Sequence, residues 1–476
     1  MNHEVSGNNA AMIGYLPDET PSFGKLFLYA LQQVIVMFPA TIAVALITGF
    51  QVSTTIFASG LSTICFILIT GKKIPLYYGS SFAYLTAISS MVAAQGTPEQ
   101  LQSFAATGIL PTQLIQYAQF GIILSGLVSV AAGLLVRYSG HEAVEHILPP
   151  SITGSISMII GLTLAGNALK DAAPSILAEG AKATVSNGNL VWIVSLSTLF
   201  ATILFSRYLK GFLGQLPLLL GALVGCAAAW IILLIGGDGF NLFRSMPDAA
   251  LAASPFRLGA FAVPAFSFPL PNAAAVLAIM PIAIATIPES TAHIYQIDIY
   301  VNDLAKKKGS KKKYDLASLL DRNLIGDGLC DMISGVVGGP AGTNYGENIS
   351  TMAITKVFSI PVLIAASIIA MVISFFTPLI RIIYGIPTAV IGGLEIYLFG
   401  AIAAQGIAIM IDKKVDMFDS KNIAVIASVM VIGIGGQYAF GGNIPFLGLN
   451  VPCIAGAAIF GIVLNLILSL GDKQKA

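Results

Sequence analysis

Two carboxylates stand in stretches otherwise built for lipid. Glu347 sits in the run Tyr345-Gly346-Glu347-Asn348-Ile349-Ser350, and Glu289 follows the apolar run Ala275–Ile287 and Pro288, with His293 four residues on. An ionisable group at membrane depth is costly and marks function by default. Spacing of four puts Glu289 and His293 on one helix face, one turn apart, as a proton-sharing pair. Two ionised carboxylates in one dry site repel, so one must be able to take up a proton. If Glu347 begins a helix, the helix dipole favours its charge, which leaves Glu289 as the better proton acceptor. The matching ligand is a flat, neutral heterocycle: carboxylates accept from ring N–H groups, and backbone amides donate to ring carbonyls. Phe82 offers a ring face for stacking, although a Phe in an apolar span is usually plain packing.

The elements that must hold these residues are membrane helices. The chain has 476 residues, of which 56% are hydrophobic and 10% charged, against about 25% charged in soluble domains. Its length allows a dozen or more spans of roughly 20 residues, giving an all-α polytopic membrane protein. A net charge of +1 argues against a nucleic-acid partner. Cys65, Cys226, Cys330 and Cys453 have no CxxC spacing and read as small buried hydrophobes, with neither metal nor disulfide. No cofactor is implied. Residues 1–24 are polar and lack the pattern of a cleaved signal, so the first span is expected to serve as its own insertion signal.

Long apolar segments lie near 25–47, 50–70, 115–136, 146–167, 190–206, 212–235, 272–294, 358–378, 386–410, 422–436 and 448–470. Three shorter ones, 74–92, 324–339 and 343–356, are interrupted by glycine and polar residues. Together they predict 14 crossings. With every segment crossing and the N-terminus inside, nineteen Lys and Arg residues fall on the cytoplasmic face and five outside, a strong positive-inside bias. Both termini are then cytoplasmic, in a multi-pass protein of the inner (plasma) membrane. The cluster from Lys306 to Lys313 reads as a solvated loop that sets orientation. Seven spans per half make the second half an inverted repeat of the first.

The third span of each half carries a glycine break: Tyr78-Gly79-Ser80-Ser81-Phe82 in one, Tyr345-Gly346-Glu347-Asn348-Ile349 in the other. Broken segments at matching places in two halves point to a transporter's binding site. Irregular backbone survives at that depth only where it lines a cavity or is buried in protein. Spans 3 and 10 are therefore expected to be short extended breaks leading into half-helices, whose first N–H groups can donate to a ligand. Asp327 and Asp331, spaced i, i+4, either line the same cavity or bond backbone. Glu395, after Gly392-Gly393, reads as a capped or interface carboxylate more readily than as a second acid, and Gln32-Gln33 as an interhelical hydrogen-bonding pair. Asn344 and Asn348 are expected to tie down the backbone break.

The motifs GKKIPLYYGSSFAY, PESTAH and TNYGENISTMAITKV resemble the nucleobase–ascorbate transporter family, on its bacterial uracil permease branch. The likeness runs from about Phe27 to Leu470. It implies a core domain made of spans 1–4 and 8–11 (25–145 and 237–379) and a gate domain of spans 5–7 and 12–14 (146–236 and 380–470), after a polar tail at 1–24. It also implies elevator-type proton symport of a nucleobase, uracil foremost, in a homodimer within the bilayer. Carried over by position, Glu289 and Glu347 match the family's substrate-binding acids, and Phe82 the aromatic bordering the ring. Tyr345 and Gly346 match the backbone beside the second acid, and His293 the histidine after the first. Glutamate rather than glutamine at 347 points to uracil.

The chain departs from the family in two places. Span one reads Gln32-Gln33 where Gln-His is common, and Glu289-Ser290-Thr291-Ala292-His293 stands where the uracil branch has Glu-His-x-Gly-His. The Ser-Thr pair keeps a purine permease for xanthine, hypoxanthine or guanine as an alternative. An anion exchanger of similar architecture expects a basic site, which these residues lack. An intramembrane enzyme has no supporting HExxH or nucleophile–base pair.

Overall fold

The computed structural model describes residues 14–140, 147–173, 185–248, 250 and 254–472. Lys182, Lys473 and Lys475 of the charge bias, and residues 1–13 of the tail, lie outside them. The protein is mostly helical. Helices α1 (Phe23–Thr48), α2 (Val52–Ile69), α3 (Leu85–Gln95), α4 (Pro98–Thr107), α5 (Thr112–Ser139), α6 (Pro150–Ala172), α7 (Val185–Tyr208) and α8 (Pro217–Gly236) build the first half. The second half holds α9 (Ala273–Ile279), α10 (Ala283–Lys307), α11 (Leu320–Val337), α12 (Gly346–Thr355), α13 (Ile360–Ser374), α14 (Thr377–Tyr384), α15 (Thr388–Asp412), α16 (Ser420–Phe440) and α17 (Cys453–Asp472). Among the described residues ten helical stretches are long and apolar enough to cross a bilayer, with α9 and α10 taken together as one. Helix α13 is apolar but has 15 residues, about 22 Å at 1.5 Å per residue, short of the roughly 30 Å hydrocarbon core. Helix α10 runs to Lys307, well past the expected end near 294; its last turns are polar and carry Lys306 and Lys307 where cations suit the C-terminal dipole.

Among the described residues three two-stranded ribbons complete the fold: β1 (Tyr78–Ser80) with β4 (Gly342–Asn344), β2 (Arg257–Leu258) with β3 (Phe261–Ala262), and β5 (Asn443–Phe446) with β6 (Leu449–Pro452). The first ribbon joins the two halves of the chain across the protein's centre. Its antiparallel register pairs Tyr78 with Asn344, Gly79 with Thr343 and Ser80 with Gly342. Bonds from Ser81 N to Ala341 O and from Tyr345 N to Tyr77 O, both 2.9 Å, extend the ladder at either end. Backbone polar groups that would be orphaned at this depth are thereby satisfied.

The long helices pack in two groups. α1, α2, α5, α11 and α13 pack on one another, while α15 packs on α6, α7 and α8 and α16 packs on α6 and α17. Glycine permits the closest approaches. Gly126 of α5 and Gly328 of α11 each face the other's carbonyl, and Gly154 of α6 and Gly406 of α15 do the same, so a Cβ at any of the four would strike backbone. Such small-residue seams replace the hydrophobic driving force that lipid removes. Outward faces of α7, α8 and α16 expose Phe200, Leu204, Leu223, Ile231 and Val431, the apolar surface expected of helices in a bilayer.

Candidate functional site

The two half-helices start at the central ribbon. Beyond β1 a 3-10 turn, Phe82–Tyr84, leads into α3, with the Ser81 hydroxyl accepting from Ala83 N at its start. Beyond β4, α12 starts at Gly346 and carries Glu347 in its first turn. Gly79 and Thr343 form the ribbon's central pair, so its local two-fold equates Phe82 with Gly346 and Ala83 with Glu347. This corrects the match suggested by the two Tyr-Gly motifs. Those motifs have a different, reciprocal use: the Tyr345 ring covers Gly79, and the Tyr78 ring covers Gly342. A Cβ on Gly79 would stand 2.5 Å from Tyr345 Cε2, and one on Gly342 would stand 2.7 Å from Tyr78 Cζ.

Hydrogen bonds fix both lids. Tyr345 Oη donates to Ser80 O at 3.0 Å and lies 2.9 Å from Thr41 Oγ1 of α1. Tyr78 Oη donates to Asp331 Oδ1 at 2.6 Å, and the same oxygen accepts from Gly342 N at 2.7 Å. Asp331 therefore bonds backbone and clamps the ribbon, outside the cavity lining. Asp327 accepts from Asn344 Nδ2 at 2.8 Å, and Asn323 Nδ2 donates to Ser290 O at 3.2 Å beside Glu289. On the other flank Asn348 Nδ2 donates to Gln33 Oε1 at 2.7 Å and to Gln33 O at 3.1 Å. Gln33 thus anchors α1 to the turn that carries Glu347, so its amide supplies an acceptor at the place where the family commonly has histidine.

Where the half-helices meet α10 a cavity of about 300 Å³ opens, at the lower end of the roughly 300–1,000 Å³ typical of ligand sites. Phe82, Glu289, His293, Tyr345, Gly346 and Glu347 all line it. His293 is 8% exposed; its Nδ1 has no hydrogen-bond partner, and its Nε2 would meet a Cβ on Gly346 at 3.2 Å. Glu289 and Glu347 lie within Coulombic reach of each other. The opposite wall comes from α6 and α15 and includes Thr153, Ser157 and Gln405, which the sequence reading missed. Their only signal was a polar residue inside an apolar span, shared with many interhelical hydrogen-bonders. No lysine or arginine lines the cavity. Thr291 is turned away: its hydroxyl donates to Ile287 O at 2.8 Å, and with buried Ser290 it is absent from this lining. Among the described residues no group of His, Cys, Asp and Glu could hold a metal ion.

Comparison with known proteins agrees with this architecture. A profile described as "Permease family" matches residues 24–442. The uracil permease of Bacillus caldolyticus is 34% identical over 460 residues, covering 96% of this chain and 95% of that protein. The putative pyrimidine permease RutG of Escherichia coli is 32% identical, with 95% and 91% covered. Among solved structures the anion transporter SLC26A9 superposes with TM-score 0.61 at 13% identity over 93% of this chain, which spans 65% of that chain's length. The transmembrane domain of the cyanobacterial bicarbonate transporter BicA gives 0.56 at 14% identity, with 94% and 99% covered. These structural likenesses establish the fold alone. On the profile match and on full-length relatives above 30% identity, the chain belongs to the permease family, the nucleobase–ascorbate transporters.

Proposed function

We propose that this protein is a proton-coupled symporter that imports a nucleobase, uracil foremost, across the cytoplasmic membrane. One observation carries the reading: a cavity of about 300 Å³ brings together Glu289, Glu347 and the Phe82 ring at the start of two half-helices. Acceptor carboxylates and donor backbone amides complement the N–H and C=O edges of a pyrimidine. The curated relatives named uracil permease support the substrate class. Glu347 holds the ring in its ionised form, while Glu289, with His293 one turn away, takes up the coupled proton. Ser290 and Thr291 are absent from the cavity lining, which supports uracil over a purine. A cavity lined by two acids and by no lysine or arginine is unsuited to the anions that SLC26-type neighbours carry.

Fourteen crossings, with both termini cytoplasmic, accommodate the ten long apolar helices plus the α3 and α12 half-helices, α11 and α13. In this reading α1–α5 and α9–α13 form the core domain, and α6–α8 with α15–α17 the gate. The cavity lies between them, as alternating access by a sliding core requires, and the protein works as a homodimer. The deciding experiment is labelled-uracil uptake into proteoliposomes with and without an inward proton gradient, for wild type and Glu347→Gln. Gradient-driven uptake that the substitution abolishes supports the reading. Purine uptake without uracil uptake overturns the substrate assignment.

A further inference from the structure

Another buried acid lies outside the cavity lining, one turn before Leu398, which does line it. Glu395, on α15, is 1% exposed, and neither of its carboxylate oxygens has a hydrogen-bond donor. The expected cap is absent. A carboxylate buried without donors or a cation is among the costliest groups a protein can hold, so something must compensate it. Its neighbour is another acid: the carboxyl of Asp171, near the end of α6, lies within hydrogen-bonding reach of it. The backbone brings the two segments together. Gly392, one turn before Glu395, abuts the peptide linking Asp171 to Ala172, where a Cβ would strike main chain. Ser195 of α7 donates to Ala172 O at 2.9 Å and closes the third side.

The basic groups nearby do not neutralise the pair by contact. Arg244 reaches Asp171 only through space; its Nε donates to Ile386 O at 2.7 Å, and its Nη2 is buried without a partner. Lys170 and Tyr384 complete the titratable surroundings, Lys170 acting on Asp171 and Tyr384 on Arg244. Among the described residues no ion pair includes Asp171, Glu395, Arg244 or Lys170. Two carboxyl groups can hydrogen-bond to each other only if one of them carries a proton.

We propose that Asp171 and Glu395 form a second proton-binding site, separate from the substrate acids, in which the two carboxyl groups share one proton. Its position gives that proton a consequence. Glu395 also borders an apolar cavity of about 80 Å³ walled by Phe38, Pro39 and Ile42 of α1 and by Leu218, Leu219 and Ala222 of α8. It thus stands on the seam between the two helix groups. With the proton on Glu395 its side of the seam is neutral, and the one remaining charge of the pair lies on Asp171, on which Arg244 acts through space; without it two negative charges stand beside a greasy surface, and packing of α1 there is weakened.

Infrared spectroscopy of the full-length protein in detergent tests this without any substrate, so its failure is distinct from failure of the uracil assignment. Wild type and Glu289→Gln are expected to show a protonated-carboxyl C=O band near neutral pH that shifts in D2O. Glu395→Gln, whose amide can donate to Asp171, is expected to fold and to lose that band; Asp171→Asn should lose it too. The wild-type melting temperature should fall as pH rises from the unfolded-state carboxyl range up to the band's titration, because only the native pair still holds its proton there, and Glu395→Gln should flatten that limb. Because the buried Asp327 and Asp331 can contribute a band of their own, the readout is the difference from wild type, and a band that loses no intensity in either variant overturns the proposal. So does a pair that is fully ionised in wild type and needs sodium for stability, since that makes the occupant a metal cation.

Discussion

Replacing Gly79 by alanine probes whether the central ribbon positions the site. Gly79 does not use a left-handed backbone, so the residue that forbids a side chain there is Tyr345, not φ. The new Cβ would stand 2.5 Å from Cε2 and 2.8 Å from Oη of that ring, against about 3.5–4.0 Å for ordinary carbon contact. The ring must retreat by about 1 Å. Its hydroxyl bonds to Thr41 at 2.9 Å and to Ser80 O at 3.0 Å would then stretch beyond hydrogen-bond length. Overpacking costs about 1–3 kcal/mol and each lost buried bond about 0.5–1.5 kcal/mol, so the total is about 2–6 kcal/mol. That is a large part of a typical folding free energy of about 5–15 kcal/mol. Because Tyr345 immediately precedes the Glu347 turn, substrate binding should weaken along with stability. The assay is thermal unfolding and equilibrium uracil binding in detergent for Gly79→Ala, Tyr345→Ala and the double variant. The double variant should recover part of what Gly79→Ala loses, since the clash partner is gone. A single variant with wild-type melting and wild-type affinity would refute the argument.

Four further outcomes are expected. Glu347→Gln should weaken uracil binding by roughly 10- to 150-fold, the worth of a charge-assisted hydrogen bond of about 1.5–3 kcal/mol, read as Kd. Gln33→Leu leaves Asn348 Nδ2 with only the Gln33 carbonyl and should cut affinity severalfold, whereas Gln33→His should retain most of it; the same binding assay compares them. Gln405→Ala should raise the KM for uptake or alter the preference among pyrimidines while leaving the dependence on the proton gradient intact. On the lysine-rich face, Lys312 and Tyr314 hydrogen-bond to Asp18 and hold its carboxyl below the usual carboxylate range. A depressed native value means the contact stabilises above the unfolded-state value and is lost as pH falls through the native one. Protease cleavage within residues 14–22 should accordingly rise on acidification below about pH 4, and Lys312→Ala should raise it already at neutral pH.

Much of this architecture was legible because bilayer physics leaves so few options. Long apolar runs had to be helices, and the glycine-interrupted runs 74–92 and 343–356 stood out as places where helix could not continue. The residues chosen for their charge, Glu289 and Glu347, and the pair chosen beside them, Phe82 and His293, lie around one cavity. What escaped notice has a common physical origin. Thr153, Ser157 and Gln405 are weakly polar residues whose chemistry depends on which way a helix is turned, and composition does not carry that angle. The two Tyr-Gly motifs looked like repeats of one another, but their likeness comes from each tyrosine covering a glycine of the opposite strand. Asp331 could not be placed between cavity and backbone until its partners, Tyr78 and Gly342, were known. Glu395 was placed at an interface, but its expected cap is missing: most buried carboxylates find a donor, and this one has another acid beside it.

The register of the central ribbon makes spacing as consequential as residue identity. Successive strand side chains point to opposite faces, so adding or deleting a single residue inside Tyr78–Ser80 or Gly342–Asn344 reverses every one of them. Tyr78 and Tyr345 would lose the glycines they cover, and Phe82 and Glu347 would turn about 100° around their helices at 3.6 residues per turn. Side-chain substitutions here can be graded in effect, but a length change cannot. A scanning library of one-residue insertions should therefore divide the chain sharply, with tolerance around α4 and complete loss of uptake across the six ribbon positions Tyr78–Ser80 and Gly342–Asn344.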